Sequence, residues 1–131
     1  MTHGLLDTSV FIASESGRAL NVERLPEEIF VSAITYSELY AGVLAALDVD
    51  TRARRMGTLQ VLADVELLPV NRRVAELWAE LRVKLRESRR RINVNDLWIA
   101  ATALANNLPL FTQDADFSPI AEVSTLKVIE V

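Results

Sequence analysis

Apolar positions along the chain alternate between two spacings. Residues 4–6 form a short continuous apolar run that stops at Asp7 and read as a buried strand. A helix is expected over 8–13, with Thr8 or Ser9 near its N-cap. Leu25-Pro26-Glu27 interrupts the pattern, and the β-rich stretch 29–33 predicts a second strand. Residues 35–47 then take helical spacing, with Leu39, Tyr40, Val43, Leu44 and Leu47 on one face. Thr35 followed by Glu38 fits a capping box, which would place Glu38 in the first turn. A basic amphipathic helix is predicted over 51–63, a short strand over 65–70 and a long helix over 71–88. The stretch 95–106 is a helix of small residues whose alanines permit close packing on a sheet. Strands follow over 108–112 and 126–131. No repeat, low-complexity tract or linker divides the chain, so residues 1–131 are read as one domain. Strands alternating with helices predict a parallel sheet covered on both faces.

Composition removes several chemistries. There are no cysteines, which excludes disulfides, thiolate nucleophiles and cysteine metal sites. The single histidine, His3, excludes multi-histidine metal sites. No apolar run reaches the ~20 residues of a membrane helix, and the N-terminus lacks the pattern of a secretory signal. The cytoplasm is the expected compartment. The formal net charge of −4 conceals a segregation. Eleven of the fourteen basic residues lie between positions 52 and 91 beside five acids, while the rest of the chain holds three basic residues and thirteen acids. Arginine supplies most of this charge and suits bidentate phosphate contacts. These arginines are either a nucleic-acid surface or solvated helix faces.

The acids fall in telling places. Asp7 ends the first apolar strand, and Asp114 and Asp116 follow the strand at 108–112. Glu38 sits early in the helix after the second strand, and Asp96 opens an almost uncharged helix. Each has a local explanation: Asp7 or Glu38 as a cap, Asp96 as a group favoured by the helix dipole, Asp114 and Asp116 as turn residues. Together they suggest more, because parallel connectivity places several strand ends on one edge of the sheet, where ligand sites form. Four or five converging carboxylates repel one another, and hard oxygen ligands without His or Cys indicate Mg²⁺ or Mn²⁺.

Leu5-Leu6-Asp7-Thr8-Ser9, Ser37-Glu38-Leu39, Asn95-Asp96-Leu97-Trp98-Ile99-Ala100-Ala101 and Thr112-Gln113-Asp114-Ala115-Asp116-Phe117 occur in this order. They resemble the motifs of PIN-domain ribonucleases, and within them of VapC toxins of VapBC toxin–antitoxin systems. The resemblance implies a three-layer α/β/α fold with a central, mostly parallel sheet of four to five strands. It implies Asp7, Glu38, Asp96 and Asp114 as catalytic acids, with Asp7, Asp96, Asp114 and Asp116 around the metal and Glu38 as a ligand or a water-positioning group. Thr8, Ser9 and Thr112 match small polar positions that orient the first acid or a metal-bound water. Many relatives read Thr-Arg before the fourth acid; here Gln113 replaces the arginine. The implied activity is Mg²⁺-dependent hydrolysis of RNA, often tRNA or rRNA, leaving a 5′-phosphate and a 3′-hydroxyl. Implied partners are a VapB antitoxin and a second copy of the chain, as a homodimer or a heterotetramer or larger assembly with antitoxin. Tyr36, Tyr40, Trp78 and Trp98 are either partner surface or core. Arg52, Arg54, Arg55 and Arg89, Arg90 and Arg91 are candidate RNA contacts.

Other acid-based sites match less well. A receiver domain needs paired acids after its first strand, and Asp7 is followed by Thr-Ser. A haloacid-dehalogenase-like phosphatase needs a second Asp at position 9, which is Ser. A Ser–His–Asp hydrolase has only His3, and no glycine-rich loop offers a Walker-type site. The alternative of another class is a catalytically inactive PIN fold that binds RNA or protein.

Overall fold

The computed structural model describes residues 1–131. Five strands form one sheet: β1 (His3–Leu6), β2 (Glu28–Ser32), β3 (Glu66–Leu68), β4 (Leu110–Thr112) and β5 (Val128–Glu130). Their order is β3-β2-β1-β4-β5 and every pairing is parallel. Six helices cover it: α1 (Thr8–Ser16), α2 (Ala33–Leu44), α3 (Val49–Gln60), α4 (Arg72–Glu87), α5 (Val94–Ala105) and α6 (Ser118–Glu122). The layers are therefore α/β/α, as expected, and the sheet is wholly parallel with five strands.

The period of two along each strand divides the core between the two faces. Leu5 and Leu110 join Val74, Leu81 and Leu97 beneath α4, α5 and α6. Leu6 and Phe111 join Val10, Leu39 and Leu59 beneath α1, α2 and α3. Ala100, Ala101 and Ala103 of α5 are wholly buried, which is why that helix is built of small residues. Trp78 and Trp98 stack between α4 and α5 with ring centroids 4.8 Å apart, half-buried rather than sealed in the core. No helix is long and apolar enough to cross a membrane.

Several boundaries differ from the sequence reading. Asp7, not Thr8 or Ser9, is the N-cap of α1. The second helix starts at Ala33 and ends at Leu44, because Ser32 caps it by accepting the Thr35 amide at 3.1 Å. Thr35 is thus inside the helix, the expected capping box does not form, and Glu38 lies beyond the first turn. The predicted helix over 51–63 begins earlier, at Val49, and tightens into a 3₁₀ turn over Val61–Asp64. The short α6 was not foreseen.

The chain leaves β1 toward β2 on one side, while β4 packs on the other. Strand order reverses at that point, and a crevice opens at the carboxyl ends of β1 and β4. The register pairs Leu6 with Phe111, so the next residues, Asp7 and Thr112, emerge side by side.

Candidate active site

Asp7 is almost fully buried, 2% exposed. Its Oδ2 accepts from the Ser9 hydroxyl at 2.6 Å, the Thr112 hydroxyl at 2.9 Å and the Ser9 amide at 3.4 Å. None of these bonds falls on Oδ1. Burial raises its pKa, and the bonds from Ser9 and Thr112 oppose that rise. Capping and site chemistry are therefore not alternatives here, since the bonds from Ser9 and Thr112 all fall on one oxygen.

The two hydroxyls do double service. Thr112 Oγ1 also accepts the Asp114 amide at 2.9 Å, and Ser9 Oγ accepts the Gln113 amide at 3.0 Å. The turn after β4 is thereby fastened to Asp7, which fixes where the Asp114 carboxylate begins. Gln113 stabilises the same turn from its other side, its Nε2 donating to the Ala19 carbonyl at 3.0 Å and to the Val131 carbonyl. Burial raises the pKa of Asp114, with Asp7 and Asp116 adding to the rise. Arg18, next to the tethered Ala19, acts against it. A cation thus stands near Asp114 although Gln113 is not an arginine.

Glu38 reaches the crevice from α2. Its Oε1 accepts from the Thr8 hydroxyl at 2.7 Å and its Oε2 from the Asn95 amide group at 3.3 Å. Thr8 Oγ1 also lies 3.0 Å from Thr35 Oγ1. Asp96 lies in the first turn of α5, whose N-cap Asn93 accepts the Asn95 and Asp96 amides. Burial, followed by repulsion from Asp7, Asp114, Glu38 and Asp116, pushes Asp96 up to about 7. That shift places the five acids in one electrostatic neighbourhood. Asp116 itself is exposed at the rim.

No three of these carboxylates are already gathered as a closed ion-binding group. The donor set is nonetheless all hard oxygen, with a mutual repulsion that a divalent cation relieves. In that respect the residues fit Mg²⁺ or Mn²⁺.

The candidate arginines separate into two groups. Arg90 and Arg91 line a cavity together with Asn93 and Asp116, beside the acids. Arg52, Arg54 and Arg55 lie on α3, which packs on α1 and α2. There Arg55 donates to the Gly42 carbonyl at 2.7 Å and Arg54 lies 3.9 Å from Glu15. Two of those three are engaged in holding helices together. Sequence reasoning gave no role at the site to Asn95 or Arg18, and gave Thr35 only a capping role rather than its contact with Thr8. Asn95 precedes Asp96 in a recognisable motif, but its partner Glu38 is 57 residues away.

The PIN domain family matches residues 4–123. Ribonuclease VapC5 of Mycobacterium tuberculosis is 48% identical over 128 residues, covering 98% of this chain and 95% of that one. The crystal structure of VapBC-5 from Mycobacterium tuberculosis, a member of the VapBC family of toxin–antitoxin systems, superimposes with a TM-score of 0.92 at 44% identity over the whole of both chains. VapBC-1 from nontypeable Haemophilus influenzae gives a TM-score of 0.80 at 28% identity, covering 99% of this chain and 98% of that one. The chain belongs to the PIN-domain family, in its VapC group.

Proposed function

We propose that the chain is a Mg²⁺-dependent endoribonuclease, with Mn²⁺ able to substitute, that hydrolyses structured RNA such as tRNA or rRNA. The observation that carries this reading is the Asp96 carboxyl, pushed to about 7 by burial and four surrounding acids at the carboxyl edge of a parallel sheet. Relatives named as ribonucleases support it. A divalent ion, if bound there, would supply an acidified water and offset charge on the phosphate and the leaving oxygen. Asp7, through the oxygen not used by Ser9 and Thr112, together with Asp96, Asp114 and Asp116, would hold that ion. Glu38, with both oxygens tethered, orients water. Thr8 and Asn95 keep Glu38 in place, and Ser9 and Thr112 do the same for Asp7. Arg89, Arg90 and Arg91 contact RNA phosphates.

In this reading the protein works in the cytoplasm and is neutralised by a VapB-type antitoxin. It assembles as a homodimer, or as a heterotetramer or larger complex with antitoxin. Solved relatives described as VapBC systems support such a partner. So do Tyr40, Leu44 and Leu47, apolar residues left exposed on and after α2, the last of them 100% exposed.

The test is end-mapped cleavage of total cellular RNA by the purified protein in Mg²⁺, Mn²⁺ or EDTA. Discrete 5′-phosphate ends that require metal are expected. A cyclic phosphate product would sink hydrolysis by water. No cleavage in any metal, with antitoxin verified absent, would favour the inactive binding module.

Thr112→Val tests the support of Asp7. The substitution keeps shape but removes a donor to Asp7 and an acceptor for the Asp114 amide. Outer-shell partners of metal ligands are worth about 10–100-fold in metal affinity or activity. A loss of that size is expected, measured as the Mg²⁺ concentration for half-maximal cleavage. Unchanged Mg²⁺ dependence would remove Thr112 from the machinery.

A further inference from the structure

Gln113 separates Thr112 from Asp114 and adds no charge to the site. Its backbone amide donates to the Ser9 hydroxyl at 3.0 Å, on the side of Asp7. Its side chain ties down two further stretches of chain. Nε2 donates to the Ala19 carbonyl at 3.0 Å, after α1, and to the carbonyl of Val131, which follows β5. A primary amide carries two hydrogens on that nitrogen, and both are spent. Val131 in turn donates its own amide to the Thr112 carbonyl at 3.0 Å. One side chain therefore clasps the turn after β4 to the loop after α1 and to the chain leaving β5.

Both clasped stretches have anchors of their own. Helix α1 ends at Gly17 in the left-handed region, φ 76, and the Arg18 amide returns to the Ala13 carbonyl at 2.9 Å. Strand β5 is held along β4 by its parallel ladder. The clasp adds a fixed position for the residues between these anchors. Ala19 follows Arg18 directly, so its tether fixes the stretch that carries that cation. Arg18 is exposed and makes no ion pair. Burial raises the pKa of Asp114, and Arg18 is the cation that opposes the rise. From the other side, Thr112 Oγ1 accepts the Asp114 amide at 2.9 Å. The backbone at Asp114 is thus set by the two residues before it.

We propose that Gln113 is a positioning residue for the metal site: its two carbonyl bonds preset the turn that carries Asp114 and hold Arg18 beside it. The proposal rests on the metal-dependent ribonuclease reading and deepens it. A ligand already in place spares the ordering cost of binding. Two carbonyl oxygens facing one nitrogen accept a donor and reject an acceptor, so the role belongs to the amide and not merely to a side chain of that length.

Three substitutions in the full chain test this. Gln113→Glu keeps the shape but turns an anionic acceptor toward the two carbonyls. Gln113→Met keeps the length and removes the donors without repulsion. Gln113→Arg keeps N–H donors for the same carbonyls. Mn²⁺ affinity is read by electron paramagnetic resonance without RNA. Hydrogen exchange in EDTA reads residues 17–25 and 112–116, with α4 as the internal control for folding. Cleavage of RNA is followed against Mg²⁺ concentration.

Gln113→Glu should weaken Mn²⁺ about tenfold, the lower end for outer partners of metal ligands. Exchange should quicken over 17–25 and 112–116 and stay the same in α4. Half-maximal cleavage should need about tenfold more Mg²⁺, with KM for RNA level and kcat recovering at saturating Mg²⁺. Gln113→Met should fall between, and Gln113→Arg should bind Mn²⁺ best of the three. Charge acting alone gives the opposite order, because an added anion attracts the ion and an added cation repels it. That opposite order would overturn the positioning role. So would equal Mn²⁺ affinity in all four proteins, however far the loop loosens. If the wild-type chain binds Mn²⁺ and cuts RNA and the variants match it, the positioning role alone fails. A wild-type chain that neither binds Mn²⁺ nor cuts RNA defeats the metal-dependent reading, and the positioning role with it.

Discussion

Asp96→Asn is expected to lower RNA cleavage by at least about a hundredfold, and to raise the melting temperature of the metal-free protein at pH 8. The first effect follows from its place among the proposed metal ligands. The second follows from the sign of its pKa shift. In the fold Asp96 titrates at about 7, against 3.8 for the free side chain, through burial and the charges of Asp7, Asp114, Glu38 and Asp116. The folded chain therefore holds a proton that the unfolded chain has released between about pH 4 and pH 7. Stability from the protonated form is complete below that window and is lost as pH rises through it. Asparagine mimics the protonated form at every pH. The stabilisation by Asp96→Asn should be nil near pH 4 and complete above pH 7. After allowance for screening of a half-exposed carboxylate, it should be about 2 kcal/mol, or roughly 5–10 °C. Scanning calorimetry in EDTA at pH 4, 6 and 8 checks this. Saturating Mg²⁺ should reverse the ranking at pH 8, because only the wild-type chain gains stability from tight binding. A fall in melting temperature for Asp96→Asn in EDTA at pH 8 would mean that the helix-dipole and capping terms of α5 outweigh repulsion, and the acid-cluster account would fail.

Gly4→Ala is expected to destabilise the protein by about 1–3 kcal/mol and to impair cleavage with it. Gly4 lies in β1, directly behind Phe111 of β4. A Cβ there would fall on the Phe111 ring and also meet Pro26 at 3.0 Å. Phe111 is buried in the core beneath α1, α2 and α3, so its ring has little room to retreat. Any shift passes to the next residue, Thr112, and so to Asp7 and Asp114. Denaturant unfolding should show a lower midpoint with unchanged slope. Cleavage measured well below the new midpoint should still be reduced, because the β1–β4 spacing sets the site. An unchanged midpoint would show that Phe111 can turn aside without cost.

The layers, the sheet and the acids were legible because each has a local signature. The run 4–6 before Asp7, the alanines of α5 and the stripe of α4 all signal burial at their own period. What the sequence hid was which local option would prevail. Ser32-x-x-Thr35 and Thr35-x-x-Glu38 are both plausible caps, and the chain's exit from β2 at buried Ser32 selects the first. Glu38 is then claimed by Thr8 and Asn95, 30 and 57 residues away, which no local pattern records. Arg55 likewise reads as field charge until its contact with Gly42, 13 residues back, is seen. The helix α6 is five residues long with one buried side chain, Ile120, too short for a period to show.

The pairing of the first strand with the fourth has a consequence for the timing of synthesis. Thr112 reaches Asp7 across 105 residues of chain. A nascent chain that ends before β4 has no hydroxyl from Thr112 on Asp7 and no Asp114. Because loop closure on this scale precedes the contacts that reward it, the acidic centre is among the last parts of the molecule to be completed. A growing polypeptide therefore lacks the assembled acid cluster until β4 has emerged and paired with β1.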